Sequence, residues 1–473
     1  MNKTKEILII FLPILTLILI LLFNVLCFEN SLQGPNQIAL ILAAILAALI
    51  AYKKNKTIKD LGLGVVESIK SSMNAVIILL IIGGLTATWI LSGVVPAMIY
   101  YGVELINPKF FLFTACIICS IVSIATGSSW TTSATIGVAL IGIGELLSIN
   151  TGLVAGAILS GAYFGDKMSP LSETTNLAPS VSGTDLISHI KYMTYTTVPT
   201  ISITLLVFFL IGINSSQIIV PLVEMEVFLD ALTSNFNIGA ELFILPLLII
   251  ILVYNKFSAI NTLLIGLFGG ALFAFIFQPE LIHQINTKTE GNTLETISRT
   301  ILFGTEMNLD NDNINSLLEK GGMSGMLWII FLVFSAMTFG GVMYAGGFLK
   351  KITSLIVSQS SSHTAIISST AGSCLFFNTT TCDQYLAIVV PGRMFKEVYE
   401  EHGLCATNLS RTIEDSGTVT SVLIPWNTCS AYHSTTLGLD PITFIPFCFF
   451  NIISPFMTLL FAYLNIKIKK LIK

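Results

Sequence analysis

The chain has 473 residues, of which 53% are apolar and only 11% charged, and its mean hydropathy is +0.84. Soluble domains carry about 25% charged residues, so this composition excludes a water-soluble monomer and points to a polytopic membrane protein. The 23 basic and 27 acidic side chains give a net charge of -4, with no basic stripe of the kind that binds nucleic acid.

From the N-terminus, Lys3 and Lys5 precede a nearly unbroken apolar run, Ile7 to Leu22. That run exceeds a normal signal-peptide core and no small-x-small cleavage site follows, so it reads as a retained first helix. A hydrocarbon core about 30 Å thick needs roughly 20 apolar residues in a helix. Candidate spans follow at Ile7–Phe28, Ile38–Tyr52, Ala75–Ile99, Phe110–Ile124, Thr197–Ile213, Leu242–Tyr254, Ile260–Phe277, Leu327–Ala345 and Ile442–Tyr463. Shorter apolar pieces lie at Ala134–Gly144, Gly152–Phe164, Thr364–Phe377, Tyr385–Val390 and Val419–Pro425, as expected where backbone at membrane depth lines a cavity instead of lipid. Cys116 and Cys119 form a CxxC inside an apolar run with no second pair and no His partner. It reads as one turn of small packing side chains, and no disulfide framework or metal centre is expected.

Lysines cluster on alternate turns: Lys3 and Lys5, then Lys53, Lys54, Lys56 and Lys59, then Lys256, Lys350 and Lys351, and finally Lys467, Lys469, Lys470 and Lys473. The positive-inside rule makes these turns, and both termini, cytoplasmic. The opposite loops agree, with Glu224, Glu226 and Asp230 free of nearby Lys or Arg and with an acidic-leaning stretch over Gln278–Ser324.

Two halves of the chain share landmarks. The first carries G-S-S-W-T-T-S (Gly127–Ser133) and then G-D-K-M-S-P-L-S-E-T-T-N (Gly165–Asn176). The second carries F-N-T-T-T-C-D-Q (Phe377–Gln384), then E-D-S-G-T-V-T-S (Glu414–Ser421) and P-W-N-T (Pro425–Thr428). Paired interruptions of apolar segments are the sequence mark of a transporter built from repeats, with its site at their interface. The expected organisation is N-terminal helices over 1–60, a first transport repeat over 61–213, connecting helices with an acidic external loop over 214–324, and a second transport repeat with a C-terminal helix over 325–473.

An ionised group at the bilayer centre costs at least about 2.5–3.5 kcal/mol, so carboxylates beside apolar runs are candidate sites. Asp166, Asp383 and Asp415 are the candidates for proton and cation coupling. Ser169, Ser172, Glu173, Thr174, Thr175 and Asn176 in the first half, with Asn378, Thr379, Thr380, Asn427 and Thr428 in the second, offer hard oxygens suited to sodium. Proton and cation compete for such a carboxylate, which is the minimal chemistry of sodium/proton exchange. Against this, Asp166-Lys167 also reads as a neutralised pair at a membrane interface, and Glu414-Asp415 as an ordinary loop. Arg393 and Arg411 flank the second acidic segment. They read either as partners of Glu414 and Asp415 or as a clamp for an organic carboxylate. His433 is a candidate proton carrier.

The stretch G-A-Y-F-G-D-K-M-S-P-L-S-E-T-T-N-L-A-P (Gly161–Pro179), with F-N-T-T-T-C-D-Q-Y-L and E-D-S-G-T-V-T-S-V-L-I-P-W-N-T-C, resembles the NhaC sodium/proton antiporter family over most of the chain. Glu173 departs from it, standing where the family pattern has Asp. The resemblance implies an all-α polytopic membrane protein with two inverted structural repeats, re-entrant hairpins and broken helices, of the elevator type. Gly127–Ser133 and Phe377–Gln384 would then lie on or near the hairpins, and Asn176, Asn427 and Thr428 near the cation. It implies exchange of sodium, with lithium as a second candidate, for protons across the cytoplasmic membrane, and for some members malate uptake coupled to lactate release. Sodium and protons are the transported species, small organic acids the alternative cargo, no cofactor is expected, and elevator-type relatives point to a homodimer. An intramembrane aspartyl protease is the reading from another class. It leaves the hydroxyl clusters without a purpose and lacks that class's flanking motifs. No GxxxxGK[ST] loop is present, so energy is expected to come from ion gradients.

Overall fold

The computed structural model describes residues 3–28, 33–105, 107–214, 222–255, 257–289, 292–304, 322–349, 351–352 and 362–471. Lys256, Lys350, Lys473 and residues 305–321 of the acidic-leaning stretch lie outside them, as do the side chains of Lys3, Lys5, Glu224 and Glu226. The described residues are helical apart from one bridge, Leu404 to Lys470. Six of their helices are long and apolar enough to cross a membrane, or up to eight if two bent pairs each count as one span. Along them, rows such as Val198, Ile203, Leu206 and Leu210 are exposed. Leaving them in water would cost about 25 cal/mol per Å², so these faces belong against lipid.

The sequence expectations for individual spans hold with three breaks, of which one leaves Leu242–Tyr254 as the 11-residue helix Ile244–Tyr254 after an 87° bend from Leu229–Asn235. Ala75–Ile99 is two helices, Ile58–Leu91 and Val94–Leu105, parted at Ser92 and at Gly93, whose φ is +80°. Ile442–Tyr463 bends by 50° at Cys448. The pieces at Thr364–Phe377 and Tyr385–Val390 belong to longer helices, His363–Thr380 and Gln384–Glu401. The Lys53–Lys59 turn is solvent-facing. There the Thr57 hydroxyl caps the Asp60 amide at 3.1 Å, and its hydrogen bond to the Asp60 carboxylate holds that carboxyl below the usual range.

Packing sorts the helices around two centres. Ile58–Leu91 is flanked by Leu327–Ala345, Ala259–Phe277 and Thr293–Phe303, while Pro35–Lys53 packs on Leu327–Ala345 and Lys3–Cys27 packs on Pro35–Lys53. The second centre is the crossing of Phe111–Thr126 with Thr151–Met168, bordered by Leu186–Asn214 and Phe449–Tyr463. Gly161 makes this crossing close, since a Cβ there would stand 2.2 Å from the Cys116 carbonyl oxygen. Small residues permit such approaches in membranes, where dispersion replaces the hydrophobic drive. Cys116 and Cys119 are buried free thiols in that contact.

The landmarks of the two halves recur at one fixed interval. Ser128 and Asp383 are N-caps of the segments that follow the first break. Ser172 and Asn427 are N-caps of ten-residue helices, Glu173–Ser182 and Thr428–Leu437, which end on left-handed Gly183 and Gly438. Gly127, with φ +67°, has its counterpart in Cys382, with φ +57°. All four pairs share the same sequence offset. The first break of each half therefore ends one helix at a left-handed residue and starts the next at a polar cap, where helix-end amides and carbonyls lack intrahelical partners.

Candidate functional site

Asp166 lies in the last turn of Thr151–Met168, and its carboxylate is almost fully buried. One oxygen, Oδ2, accepts from the Ser129 amide at 3.2 Å and the Ser129 hydroxyl at 2.7 Å. The other, Oδ1, accepts from the Ser172 hydroxyl at 2.6 Å. Local chain chemistry sets this up. Ser128 caps the segment that opens at Ser129, so Ser129 presents its amide at a helix N-terminus, where negative charge is favoured. Ser172 caps the next helix through the Thr175 amide at 3.3 Å. Thr174 Oγ1 stands 3.1 Å from Ser172 Oγ.

Every donor to Asp166 is neutral. A cavity of about 400 Å³ opens onto it, lined by Thr126, Gly127, Ser128, Trp130, Thr131, Glu173, Thr174, Gln384 and Tyr385 from one packing group. Ala75, Ile78, Phe257, Ser258, Thr262 and Leu263 close it from the other. Its lining holds two carboxylates, Asp166 and Glu173, and among the described residues no Lys or Arg.

Lys167 does not neutralise Asp166. Its ammonium forms an ion pair with Asp415, with both side chains fully buried, and lies 3.4 Å from Ser454 Oγ. The other Asp415 oxygen accepts from the hydroxyls of Thr196, at 2.9 Å, and Thr458. Arg411 and Arg393 therefore pair with neither acid. Arg411 is buried and stacks its guanidinium 4.6 Å over the Tyr192 ring, and Arg393 is exposed on Gln384–Glu401. The two arginines do not converge on the cavity.

The remaining candidates separate by location. Ser172 and Thr174 surround Asp166, and Thr175 Oγ1 donates to the carbonyls of Asp166 and Lys167 at 3.1 and 3.0 Å. Ser169 is spent on the Ile124 carbonyl at 2.7 Å, and exposed Asn176 on those of Pro170 and Ser172. Glu173 is exposed and accepts from the Tyr385 hydroxyl at 2.5 Å. In the second half, Asn427 donates to Asn378, and Asn378 to the Gly417 carbonyl at 2.6 Å and Thr420 Oγ1 at 3.0 Å. Thr379 and Thr380 bond back to their own helix, Thr428 donates its amide to Cys382, and Asp383 caps the Leu386 amide at 2.9 Å. His433 is buried with both ring nitrogens unpartnered, edge-on to Tyr163 and Tyr432.

The structure thus unites Asp166, Ser172 and Thr174 and sets the Asn378–Asn427 network apart. Sequence reading did not single out Ser129, Thr196, Ser454 or Thr458. Ser129 sits in the hydroxyl-rich break that begins at Gly127, so its signal was present. Thr196 stands among Thr194, Thr197 and Thr200 but beside no carboxylate in the chain, and Ser454 and Thr458 are isolated hydroxyls on an apolar helix.

A model of the Na+/H+ antiporter family matches residues 161–466. The chain is 38% identical over 437 residues to the Na+/H+ antiporter NhaC of Alkalihalophilus pseudofirmus, covering 92% of this chain and 91% of that one. It is 35% identical to the malate-2H+/Na+-lactate antiporter of Bacillus subtilis, over 93% of this chain and 91% of that one. A third relative, the arginine/ornithine antiporter ArcD of Halobacterium salinarum, is 33% identical over 89% of this chain and 84% of its own length.

Proposed function

The chain belongs to the Na+/H+ antiporter family, and from that premise we propose that it exchanges sodium for protons across the cytoplasmic membrane, with Asp166 as the carboxylate for which the two compete. The observation that carries this is the setting of Asp166: buried, held by neutral donors only, and facing a cavity with no basic group in its described lining. A carboxylate so placed is balanced by a proton or by a cation, and both arrive through the same opening. When a cation enters, the hydroxyls of Ser129 and Ser172 and the oxygens of Thr174 turn lone pairs toward it and complete a hard-oxygen shell.

The cavity lies between the two packing groups, so sliding of one past the other moves Asp166 from one membrane face to the other, as alternating access requires. By the lysine distribution, the cavity end near Phe257 and Ser258 is cytoplasmic and the termini are inside. The matched caps of the two halves support a repeat, which this reading takes as inverted, and elevator transport suits a homodimer.

The B. subtilis malate and lactate antiporter keeps an organic-acid cargo as the competing reading. Everted vesicles from a host lacking its own antiporters, monitored with a ΔpH-sensitive dye, separate the two. Sodium alone collapses the gradient with wild type and not with Asp166→Asn. A sodium response that requires added malate or lactate, or one that survives Asp166→Asn, overturns the proposal.

A further inference from the structure

Glu414 begins the single π-turn among the described residues of the second half, Glu414–Thr418, which continues the short helix Ala406–Ile413. Its side chain is fully buried, and neither carboxylate oxygen has a hydrogen-bond partner. The hydroxyls of Ser416 and Thr418 on the same turn are also fully buried and unpartnered. The flanking hydroxyls behave differently. Thr412 donates to the Asn408 carbonyl at 2.7 Å, Thr420 to that of Ser416 at 2.5 Å, and Ser421 to that of Thr418 at 2.7 Å. Back-bonding to the helix is the default for a membrane hydroxyl. This turn withholds two hydroxyls and a carboxylate from it, with Thr418 on the face of Glu414 and Ser416 on the opposite one. π-turns recur at functional sites because the extra residue displaces side chains from the regular helical ladder.

Glu414 forms no ion pair among the described residues, and the charges and hydroxyls around it, Lys167, Thr174 and Thr418, leave it without a formed hydrogen bond. Lys167 is committed to Asp415, and Arg411, one turn earlier, aims its guanidinium at Tyr192 and shares no hydrogen bond with Glu414. The turn packs against Glu173–Ser182, whose Thr174 lies beside Glu414 and also lines the cavity. A buried carboxylate without a formed hydrogen bond or ion pair costs several kcal/mol, and the hard oxygens of Glu414 and Thr418 on one face of the turn suit an alkali cation.

We propose that Glu414, with Thr418 on the same face of the turn, forms a second alkali-cation site, occluded behind Thr174 and distinct from the shell of Asp166. This rests on the reading of the chain as a sodium/proton antiporter. A sodium ion passing Asp166 then has a second carboxylate within electrostatic reach, so the two sites are filled in sequence and each lowers the barrier to leaving the other.

The test is equilibrium binding of radioactive sodium to the purified full chain in detergent, counted per chain, with folding checked by thermal melting. Wild type binds two sodium ions, and Asp166→Asn and Glu414→Gln bind one each. Thr418→Val, which removes one oxygen and keeps the shape, retains two sites, with affinity at one of them about tenfold weaker. It also decides the matter where Glu414→Gln does not fold. Wild-type counts in Glu414→Gln, or an unchanged isotherm in Thr418→Val, overturn the second site. A single sodium in wild type, lost in Asp166→Asn, overturns it as well while leaving Asp166 in its proposed role. Two sodium ions in Asp166→Asn overturn the reading of Asp166 instead.

Discussion

Lys167 extends its ammonium to Asp415 on a distant segment of the chain and leaves its neighbour Asp166 to neutral donors. The pair joins the end of Thr151–Met168 to the second-half π-turn, with Thr196 and Thr458 adding hydroxyls to the carboxylate. Two adjacent residues of the chain thus face different surroundings, one in a buried ion pair and one on the cavity.

The ion pair leads to the first prediction. Removing one partner strands a buried charge, which costs about 3–5 kcal/mol, while replacing both with well-packed apolar side chains is often close to neutral. Lys167→Met and Asp415→Leu should each lower the melting temperature of the detergent-solubilised protein sharply, and the double variant should recover most of the loss. Additive losses in the double variant would show that the two residues act independently.

Removal of either hydroxyl donor to Asp166 provides the second. A hydrogen bond to a charged group contributes about 1.5–3 kcal/mol, and 1.4 kcal/mol is tenfold in an equilibrium constant. Ser172→Ala and Ser129→Ala should therefore each raise the half-saturating sodium concentration about tenfold in vesicle assays, with expression near wild type. Ser169→Ala, whose hydroxyl goes to the Ile124 carbonyl, should leave it within about twofold.

Much of this arrangement is legible in the sequence, for identifiable reasons. The apolar spans and the paired breaks stand out because the bilayer forces long apolar runs and forces polar residues to cluster where those runs stop. Asp166 stands out because it ends such a run. What stays hidden are relationships across the fold. Sequence adjacency suggests Asp166 with Lys167, and proximity suggests Arg411 with Glu414, yet the helical turn sends Lys167 to Asp415 and Arg411 to Tyr192. Glu414 and Asp415 look equivalent in the chain. Only the packing shows that Asp415 has three partners, while Glu414, beside Thr174 and Thr418, has no formed hydrogen bond or ion pair.

Glu173 yields the third prediction. It carries the charge expected at that position of the family pattern, but it is exposed, and its carboxylate is engaged by the Tyr385 hydroxyl across the two halves. Exposed pairs contribute little, so Glu173→Gln and Tyr385→Phe should each change the sodium response only a few-fold and by similar amounts. The double variant should match either single one. Loss of exchange in Glu173→Gln comparable to that in Asp166→Asn would show that the cation binds at both carboxylates.

The fourth compares the two left-handed turns that open the breaks. Cys382 adopts φ +57° with a side chain in place, a conformation that costs an L-residue about 1–2 kcal/mol. Its carbonyl accepts from the Thr428 amide at 3.0 Å, which holds the turn closed. Cys382→Gly should relieve that strain, and the melting temperature should stay level or rise. Gly127 has the same backbone shape and no such latitude. A Cβ there would lie 2.7 Å from the Leu171 carbonyl carbon and 2.8 Å from the Ser172 amide nitrogen. Gly127→Ala must therefore push away the turn that presents Ser172 to Asp166. Exchange should fall along with stability, and sodium affinity should weaken at least as much as in Ser172→Ala. An alanine variant with wild-type sodium affinity would mean that the Asp166 shell does not depend on the close contact between these two breaks.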